Sequence, residues 1–268
     1  MEKVYVITGT TSGIGEALLK KLDKNNIIFA GYRNKKLLKD LEAKGVIPFY
    51  IDMEDKNSII QAAEFIKSKT QKIDRIINIA GCVIAGVMEN LPVDNIRKQF
   101  EVNTFSHLEF TQKLIPILKN GRIINISSMA SFGIFPFVAP YCASKRALDI
   151  LFNSMNLESN IEVVSIKPGV IATPLWTKSI ELNQESIDKC ENYDREMKYM
   201  VENAKQNAIK GLNVDKVVKA ILKADNAKHP KTSYTIGKDA KFAEFLSKFP
   251  FDIQNKIIKF GIKLKIKK

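Results

Sequence analysis

Cysteine and histidine are scarce in this chain, which has three cysteines and two histidines among 268 residues. Three thiols, Cys82, Cys142 and Cys190, cannot form a disulfide framework, so the sequence predicts a reducing compartment, the cytoplasm. The cysteines and the two histidines, His107 and His229, do not have the spacing that metal ligands show. We therefore expect no metal site, and buried thiols instead.

Long apolar runs are absent as well. No stretch reaches the roughly 18 consecutive apolar residues that a membrane-spanning helix needs. The first strand-like run begins at Val4, which leaves no room before it for a signal peptide. The sequence therefore predicts a soluble protein without a cleaved leader.

Acidic residues are few relative to basic ones, 29 against 42, which gives a net charge of +13. Lysine is spread along the whole chain, which is typical of biased residue usage, so we expect no nucleic-acid partner. Residues 238–268 concentrate lysine between aromatic and aliphatic residues and form a basic amphipathic C-terminal extension. Such a segment can lie on an anionic membrane, dock on its own domain or cover a substrate channel, and the sequence leaves these alternatives open.

Short apolar, β-branched runs alternate with longer amphipathic ones from the first residues onward. The strand-like runs are 4–8, 26–32, 46–52, 73–81, 121–128, 161–169 and 233–237. The alternation predicts one α/β domain over residues 1–268, built on a doubly wound, Rossmann-type parallel sheet of about seven strands with helices on both faces. Segment 174–212 interrupts the alternation and is a candidate substrate lid that contains Trp176.

A glycine-rich turn with the sequence TGTTSGIG follows the first strand. Gly9 allows a sharp turn, Gly13 a close approach of the backbone to a pyrophosphate, and Gly15 close packing of the next helix on the sheet. Thr11 and Ser12 add hydroxyl donors, and the helix N-terminus offers free N–H groups to a phosphate. The strand–turn–helix context favours dinucleotide binding over plain turn glycines.

The end of the second strand bears on the choice between NADP and NAD. NAD binding commonly uses an acidic residue there, whereas this chain has AGYRNKK, with Arg33 available for a 2′-phosphate. We therefore favour NADP(H) and keep NAD(H) as the alternative. Arg33 can instead be a solvated loop charge. Asp52, which ends the third strand, can accept a hydrogen bond from adenine or simply start a helix.

Further motifs follow this turn in a fixed order. They are NIAG at 78–81, Asn103 within FEVNTF, Ser128 within INISS, YCASK at 141–145 and KPGVIAT at 167–173. Together with the glycine turn they resemble the short-chain dehydrogenase/reductase family over residues 4–173, with Ile79 as a conservative departure. The resemblance implies a dinucleotide-dependent oxidoreductase that forms a homo-oligomer through the helices predicted at 94–118 and 143–158.

The same resemblance implies the residues of the site. Tyr141 is the expected general acid/base, and Lys145 is expected to lower its pKa. Ser128 is the expected hydrogen-bond donor to the carbonyl oxygen, and Asn103 is the expected proton relay. Asn103 has a simpler alternative, an asparagine that bonds to local backbone at a helix kink. The residues expected to contact the cofactor are Gly9, Thr11, Ser12, Gly13, Ile14, Gly15, Arg33, Asp52, Met53, Asn78, Ala80, Gly81, Tyr141, Lys145, Pro168, Gly169, Ile171 and Thr173.

Physical chemistry supports the pairing of Tyr141 with Lys145 independently. Residues four apart share one face of a helix. A nearby ammonium favours the phenolate, and bringing the pKa of a phenol from ~10 to about 7 takes ~3 units, or ~4 kcal/mol. A phenol tuned in this way can exchange a proton with a substrate oxygen while the cofactor carries the hydride.

The loop between Ser128 and Tyr141 is almost entirely apolar. Its large members are Phe132, Ile134, Phe135 and Phe137. They can line a pocket for an apolar ketone or alcohol, or pack under the lid or against a partner chain. The sequence therefore predicts an NADP(H)-dependent carbonyl reductase with an apolar small-molecule substrate. The alternatives are an NAD-dependent alcohol dehydrogenase of the same family and a catalytically silent dinucleotide-binding protein.

Overall fold

Seven strands form one parallel sheet in the computed structural model, which describes residues 2–188, 190 and 192–266, with the backbone alone for residues 265 and 266. Every strand-like run of the sequence contributes one strand, so the doubly wound prediction is confirmed. The strands are β1 (Val4–Ile7), β2 (Ile27–Tyr32), β3 (Ile47–Tyr50), β4 (Ile73–Asn78), β5 (Leu118–Ile126), β6 (Glu162–Pro168) and β7 (Ser233–Ile236).

The strands lie in the order β3-β2-β1-β4-β5-β6-β7, so the sheet extends in both directions from β1 and β4. The direction of extension reverses between these two strands, where the connections on either side leave toward opposite faces of the sheet. The reversal opens a crevice outside the carboxyl ends of β1 and β4, and ligands bind at such a crevice in folds of this kind.

Helices cover both faces of the sheet. They are α1 (Gly13–Leu19), α2 (Leu38–Glu42), α3 (Lys56–Lys69), α4 (Val93–Phe100), α5 (Ser106–Leu114), α6 (Ala139–Glu158), α7 (Leu175–Leu182), α8 (Gln184–Asp188), α9 (Asp194–Lys210), α10 (Asp215–Asn226), α11 (Lys238–Leu246) and α12 (Phe251–Ile266). α3, α5 and α6 bury Phe110 and Phe152 on one face, and α1 and α10 bury Leu18 and Ile221 on the other. Because the strands are buried on both faces, they are nearly continuous apolar runs in the sequence.

The helix predicted over 94–118 is interrupted in the structure. α4 ends at Phe100, a π-helical turn spans Glu101–Phe105, and α5 follows it. The chain enters β5 at Leu118, so the end of the predicted helix belongs to the sheet. The widened turn contains the buried Asn103, whose side chain bonds to both backbone groups of Cys82. Turns of this kind inside helices are frequent at functional sites.

The helix predicted over 143–158 begins four residues earlier, at Ala139. Pro140 lies in its first turn, where the fixed φ of proline favours a helix start and its missing N–H costs nothing. Tyr141 therefore lies in the first turn of α6, close to the carboxyl end of β5.

The predicted lid, 174–212, contains α7, α8 and α9, and the C-terminal extension contains α11 and α12. Residues 189 and 191 of the lid and 267 and 268 of the extension lie outside the described residues, as does Met1. Within the described ranges, no helix combines the length and the hydropathy that crossing a bilayer requires.

Candidate active site

The glycine-rich turn lies at the crevice between β1 and β4. Gly9 has a φ of +68°, in the left-handed region that favours glycine. A Cβ on Gly9 would lie 2.8 Å from the backbone nitrogen of Ala80, and one on Gly15 would collide with the carbonyl oxygen of Gly9. Thr8 accepts hydrogen bonds from the backbone of Ile79 and Ala80 and so ties the turn to the end of β4. The turn and the N-terminus of α1 thus keep a backbone cradle that fits a pyrophosphate.

The other side of the turn faces the loop after β6. A Cβ on Gly13 would lie 3.3 Å from Cγ2 of Thr173. Ser12 occupies the N-cap position of α1 without a side-chain bond to the helix, and its Oγ is 3.5 Å from Nζ of Lys178. The hydroxyl of Ser12 and the ammonium of Lys178 therefore lie beside the free N–H groups at the start of α1. Together these groups favour the binding of an anion.

Arg33 lies directly after β2, with 64% of its side chain exposed. Its Nη1 is 3.4 Å from Oε1 of Glu54 and 3.8 Å from Oδ1 of Asp52, so two acidic residues share its charge. Met53 is buried in the apolar core, and its carbonyl accepts a hydrogen bond from Ser106. A contact of Met53 with the cofactor is thus restricted to its backbone. The contacts expected of Arg33 and Asp52 stay predictions.

Three of the four predicted catalytic residues lie on one wall of a cavity. Ser128 follows β5, and its Oγ accepts from the backbone N–H of Ala130 at 3.1 Å and is hydrogen-bonded to Tyr141. Lys145, one helical turn after Tyr141, is 4% exposed. Its Nζ donates to the carbonyl of Ile126 at 2.8 Å and lies 5.9 Å from the centre of the Tyr141 ring. A hydroxyl, a phenol and an ammonium are thus close together at the carboxyl end of β5.

The pKa of Tyr141 departs from the expectation that Lys145 acidifies the phenol. Burial raises the pKa of Tyr141 to about 12, and the hydrogen bond with Ser128 opposes this only in part. Burial also lowers the pKa of Lys145 to about 8, while the carboxylate of Asp149, one turn further along α6, acts in the opposite direction. The physical reason is that removal from water disfavours the charged form of both groups. At neutral pH the phenol of Tyr141 therefore keeps its proton.

Asn103 is buried in the π-helical turn. Its Oδ1 accepts from the N–H of Cys82 at 2.9 Å, and its amide donates to the carbonyl of Cys82 at 3.0 Å and to Oγ of Ser144 at 3.3 Å. A Cβ on Gly81 would lie 3.2 Å from Oδ1 of Asn103 and 3.7 Å from Nζ of Lys145. Asn103 thus fixes the loop after β4 beside Lys145. This arrangement is compatible with an asparagine that bonds only to local backbone and also with a proton relay to Lys145.

The side chain of Asn78 does not line the cavity, so the contact with the cofactor that was expected of this residue stays a prediction for its backbone. The side chain is 1% exposed and donates to Oδ1 of Asn125 at 2.8 Å and to Oγ1 of Thr111 at 3.3 Å. Alternation along β4 directs it into the interior of the sheet. The backbone beyond it is fixed by His107, whose Nε2 lies 2.8 Å from the carbonyl of Ala80. Burial lowers the pKa of His107 to about 4, so this imidazole is neutral.

The loop after β6 lies across the cavity from Tyr141. Its predicted cofactor residues Pro168, Gly169, Ile171 and Thr173 all line the cavity. Asp239 at the start of α11 holds this loop, because its Oδ2 accepts from the N–H of Val170 at 2.7 Å. A Cβ on Gly169 would collide with the same carboxylate. The C-terminal extension thus positions the segment that the resemblance assigns to the nicotinamide carboxamide.

The cavity has a volume of about 390 Å³ and a largely apolar wall. Phe135 and Phe137 of the predicted pocket loop line it, as do Ile14 and Gly81 of the predicted cofactor residues. Phe132 and Ile134 do not. Phe132 packs under Nζ of Lys167 at 4.6 Å, and Ile134 points partly to solvent. Two of the four loop residues thus line the cavity, and their contact with an apolar substrate stays a prediction.

The sequence-based prediction missed several residues of the cavity wall. They are Val83 and Ala85 after β4, Asn203 and Asn207 on α9, and Ile258 and Ile262 on α12. Phe137 adopts a φ of +68°, a strained conformation for an aromatic residue, and its ring packs edge-on against Tyr199 at 6.5 Å. No motif marks these positions. Only the apolar periodicity of the extension indicated that it covers part of the domain.

Comparisons with known proteins agree with this geometry. A family model described as short chain dehydrogenase matches residues 3–184. The NADPH-dependent 3-dehydrocapnine reductase of Ornithobacterium rhinotracheale is 30% identical over 86% of this chain and 87% of its own. A short chain dehydrogenase of Burkholderia cenocepacia J2315 in complex with NADP superposes with a TM-score of 0.73 at 24% identity, over 96% of this chain and 97% of its own. A short chain dehydrogenase/reductase of Burkholderia phymatum in complex with NAD has a TM-score of 0.72 at 18% identity, over 87% and 88%.

Proposed function

The chain belongs to the short-chain dehydrogenase family, and we propose that within it this protein is an NADP(H)-dependent reductase that converts an apolar ketone or aldehyde to the alcohol. Membership makes it an NAD(P)-dependent oxidoreductase. One observation carries the finer proposal: Ser128, Tyr141 and Lys145 share the wall of an apolar cavity next to the glycine turn. The residues at this site fit a dinucleotide, because the turn leaves a cradle that a Cβ would fill.

The proposed reduction adds one hydride and one proton to the carbonyl group, and a bound nicotinamide dinucleotide supplies the hydride to carbon. The carbonyl oxygen lies between the hydroxyls of Ser128 and Tyr141. Ser128 donates a hydrogen bond to this oxygen as negative charge develops on it. Tyr141 transfers its phenolic proton to the oxygen, so the C=O π bond breaks and an O–H bond forms. Lys145 stabilises the phenolate that remains.

The protonated form of Tyr141 is the form from which carbonyl reduction starts. With a pKa of about 12, Tyr141 keeps its proton at neutral pH, and a protonated phenol is the general acid that carbonyl reduction needs. Alcohol oxidation needs the phenolate, which burial disfavours. The relative from Ornithobacterium rhinotracheale is named as a reductase, which is consistent with this direction.

The proposal of NADP(H) depends on Arg33. The position after β2 carries no acidic residue to bind the ribose 2′-hydroxyl of NAD. To bind a 2′-phosphate, Arg33 must break its ion pairs with Glu54 and Asp52. A phosphate offers the guanidinium a bidentate, more highly charged partner than either carboxylate. Related structures contain NADP in one case and NAD in another, so NAD(H) is the alternative to be measured.

Replacing Arg33 with alanine is expected to raise the KM for NADPH about 10- to 100-fold, because one charge-assisted pair with the 2′-phosphate is lost. The KM for NADH should stay within a few-fold of the parent value. Steady-state kinetics with both cofactors measures the effect. Arg97→Ala on α4, which removes a solvent-exposed arginine, is the matched control. Equal changes in both KM values would contradict a 2′-phosphate contact.

An apolar substrate is proposed from the composition of the cavity wall. Phe135, Phe137, Trp176 and Ile262 border the space beside Tyr141. Its volume of about 390 Å³ lies in the range of small-molecule sites. We propose segment 174–212 as the lid, since α7 and α9 both contribute to this wall. Trp176 is fixed in place, because its Nε1 donates to the carbonyl of Ile171 at 2.8 Å.

Initial rates with NADPH and NADH on a panel of long-chain aliphatic, polycyclic and small polar ketones test the proposed function. We expect NADPH consumption with apolar ketones and a lower kcat/KM for small polar ones. A preference for small polar ketones would overturn the apolar assignment. NADPH binding by fluorescence titration without turnover of any carbonyl would favour the silent binding protein instead.

Homo-oligomer formation and a cytoplasmic location stay predictions. The helices expected at the interface, α4 to α6, expose Phe105, Ile150 and Leu157. These side chains are compatible with contacts between copies. Light scattering of the purified protein measures the oligomeric state.

A further inference from the structure

Helix α12 carries apolar side chains on two neighbouring sides, one against the domain and one exposed to solvent. Its inner side contacts the domain: Ile258, Gly261 and Ile262 line the cavity, and Gln254 is buried. Its outer side carries Ile253, Ile257, Phe260 and Leu264, all exposed. These four residues are named the outer stripe. Their spacing of four, three and four residues places them along one line of the helix.

The outer stripe extends the apolar face of α12 beyond its buried side, whereas the exposed part of a surface helix is usually polar. Phe260 is 66% exposed, although it is among the largest apolar side chains. The preceding helix, α11, and the residues after it expose a second row, Phe242, Phe245 and Phe249. Contiguous exposed apolar surface bordered by polar residues is typical of a protein or membrane contact.

The charges beside the outer stripe identify the kind of partner. Residues 253–268 contain six lysines and no acidic residue. Lys256, Lys259 and Lys263 are exposed on α12, on the side that borders the stripe and faces away from the domain. A helix with an apolar stripe and flanking lysines lies in the plane of a lipid surface, with its apolar side chains among the acyl chains and its ammonium groups near anionic headgroups.

A second copy of the chain is a poor occupant for this face. In a two-fold contact the same patch meets itself, so the lysines of both copies would lie side by side. Like charges placed against each other disfavour association. We propose that the outer stripe and its lysines dock the protein on an anionic phospholipid surface. The inner side of the same helix lines the cavity, so docking brings one cavity wall next to the lipid.

Co-sedimentation of the full-length protein with vesicles tests this proposal. Vesicles of equal parts phosphatidylcholine and phosphatidylglycerol should bind the protein, and vesicles of phosphatidylcholine alone should bind it far less. Replacing Lys256, Lys259 and Lys263 together with glutamine is expected to lower the partition coefficient about 100-fold, at about fivefold per lysine. The double variant Ile257→Ser and Phe260→Ser should lower it about tenfold or more.

Matched variants distinguish the effect of the α12 surface on vesicle binding from the effect of the protein's overall positive charge. Lys119, Lys216 and Lys219 are exposed elsewhere, so their joint replacement with glutamine changes net charge equally and should leave vesicle binding within a few-fold. Leu157→Ser on α6 removes an even more exposed apolar side chain, 77% exposed, and is the control for the stripe. Circular dichroism and NADPH titration verify that every variant is folded.

Three results would overturn the proposal. The first is equal loss of binding in the control lysine variant, which would assign the effect to net charge. The second is unchanged vesicle binding in the stripe variant. The third is a stripe variant that dissociates a parental oligomer in light scattering while vesicle binding persists, which would assign the stripe to contacts between copies. None of these measurements depends on catalysis. A failure of the proposed docking surface can therefore be distinguished from a failure of the proposed reductase activity.

Discussion

Tyr141→Phe is expected to lower kcat/KM for ketone reduction about 10²–10⁴-fold, the range for loss of a positioned general acid. The substitution removes one oxygen and keeps the ring that forms part of the cavity wall. Without the phenol, Ser128 still donates a hydrogen bond to the carbonyl oxygen but supplies no readily transferable proton. The dissociation constant for NADPH should stay within a few-fold of the parent, because the glycine turn is unchanged.

Tyr199→Phe is the matched control for this prediction. Tyr199 also lines the cavity and loses the same oxygen, but its hydroxyl has no role in the proposed proton transfer. We expect its kcat/KM to remain within a few-fold of the parent. If Tyr141→Phe were as active as this control, with both variants binding NADPH, Tyr141 would not be the proton donor and the proposed reduction would fail.

The second large effect is expected for Lys145→Met, which replaces a buried ammonium with a neutral side chain of similar length. We expect kcat/KM to fall about 10²–10³-fold, the range for loss of one preorganised electrostatic donor. In the parent protein, kcat/KM should also fall as the pH rises through about 8, where Lys145 loses its proton. Lys145→Met should lack this decline. The residual rate of the variant, measured on both sides of pH 8, provides the comparison.

The stability of Lys145→Met should change in the opposite direction to its activity. Burial lowers the pKa of Lys145 from 10.5 to about 8, so the folded state binds fewer protons than the unfolded state between these values. The cost of about 3 kcal/mol is therefore present below pH 8 and is relieved as the pH rises toward the unfolded value. The variant does not carry this cost, so at pH 7 its free energy of unfolding should equal or exceed that of the parent.

Urea denaturation of parent and variant at neutral and alkaline pH measures this difference. Lys219→Met on α10 removes an exposed ammonium and should change neither activity nor stability appreciably. Strong destabilisation of Lys145→Met at pH 7 would indicate that Lys145 serves mainly to hold the fold. Unchanged activity would remove it from the proton-transfer site. A loss of activity together with retained stability is expected of a residue kept for function at the expense of folding.

Residues that act through local chain geometry were predictable from the sequence. The glycines at 9, 13 and 15 need only a strand before them and a helix after them, and both are encoded by apolar periodicity within about 15 residues. Ser128 follows a strand, and the carboxyl ends of parallel strands share one edge of the sheet. The chain position of Asn78 agrees with the motif, but the direction of its side chain depends on the alternation along β4, which the motif does not specify.

The C-terminal extension shows the limit of pattern-based prediction. Its periodicity predicted an amphipathic segment but could not distinguish a membrane contact from docking on the domain. In the structure one side of α12 docks on the domain, where Ile258 lines the cavity, and another side leaves Phe260 exposed, which is the side proposed above to contact lipid. A pattern of apolar residues identifies the sides of a helix that avoid water, but not what covers them, because the covering surface comes from elements far away in the sequence.

The sequence alone determined the parallel sheet and the glycine turn after β1, because each depends on residue types and spacings within one or two consecutive elements, while the candidate catalytic side chains were implied by the resemblance to the family. The tertiary structure decided the composition of the cavity wall, the direction of the Asn78 side chain and the protonation of Tyr141. The pKa of Tyr141 depends on how much water its neighbours exclude, and those neighbours come from separate segments that only folding brings together.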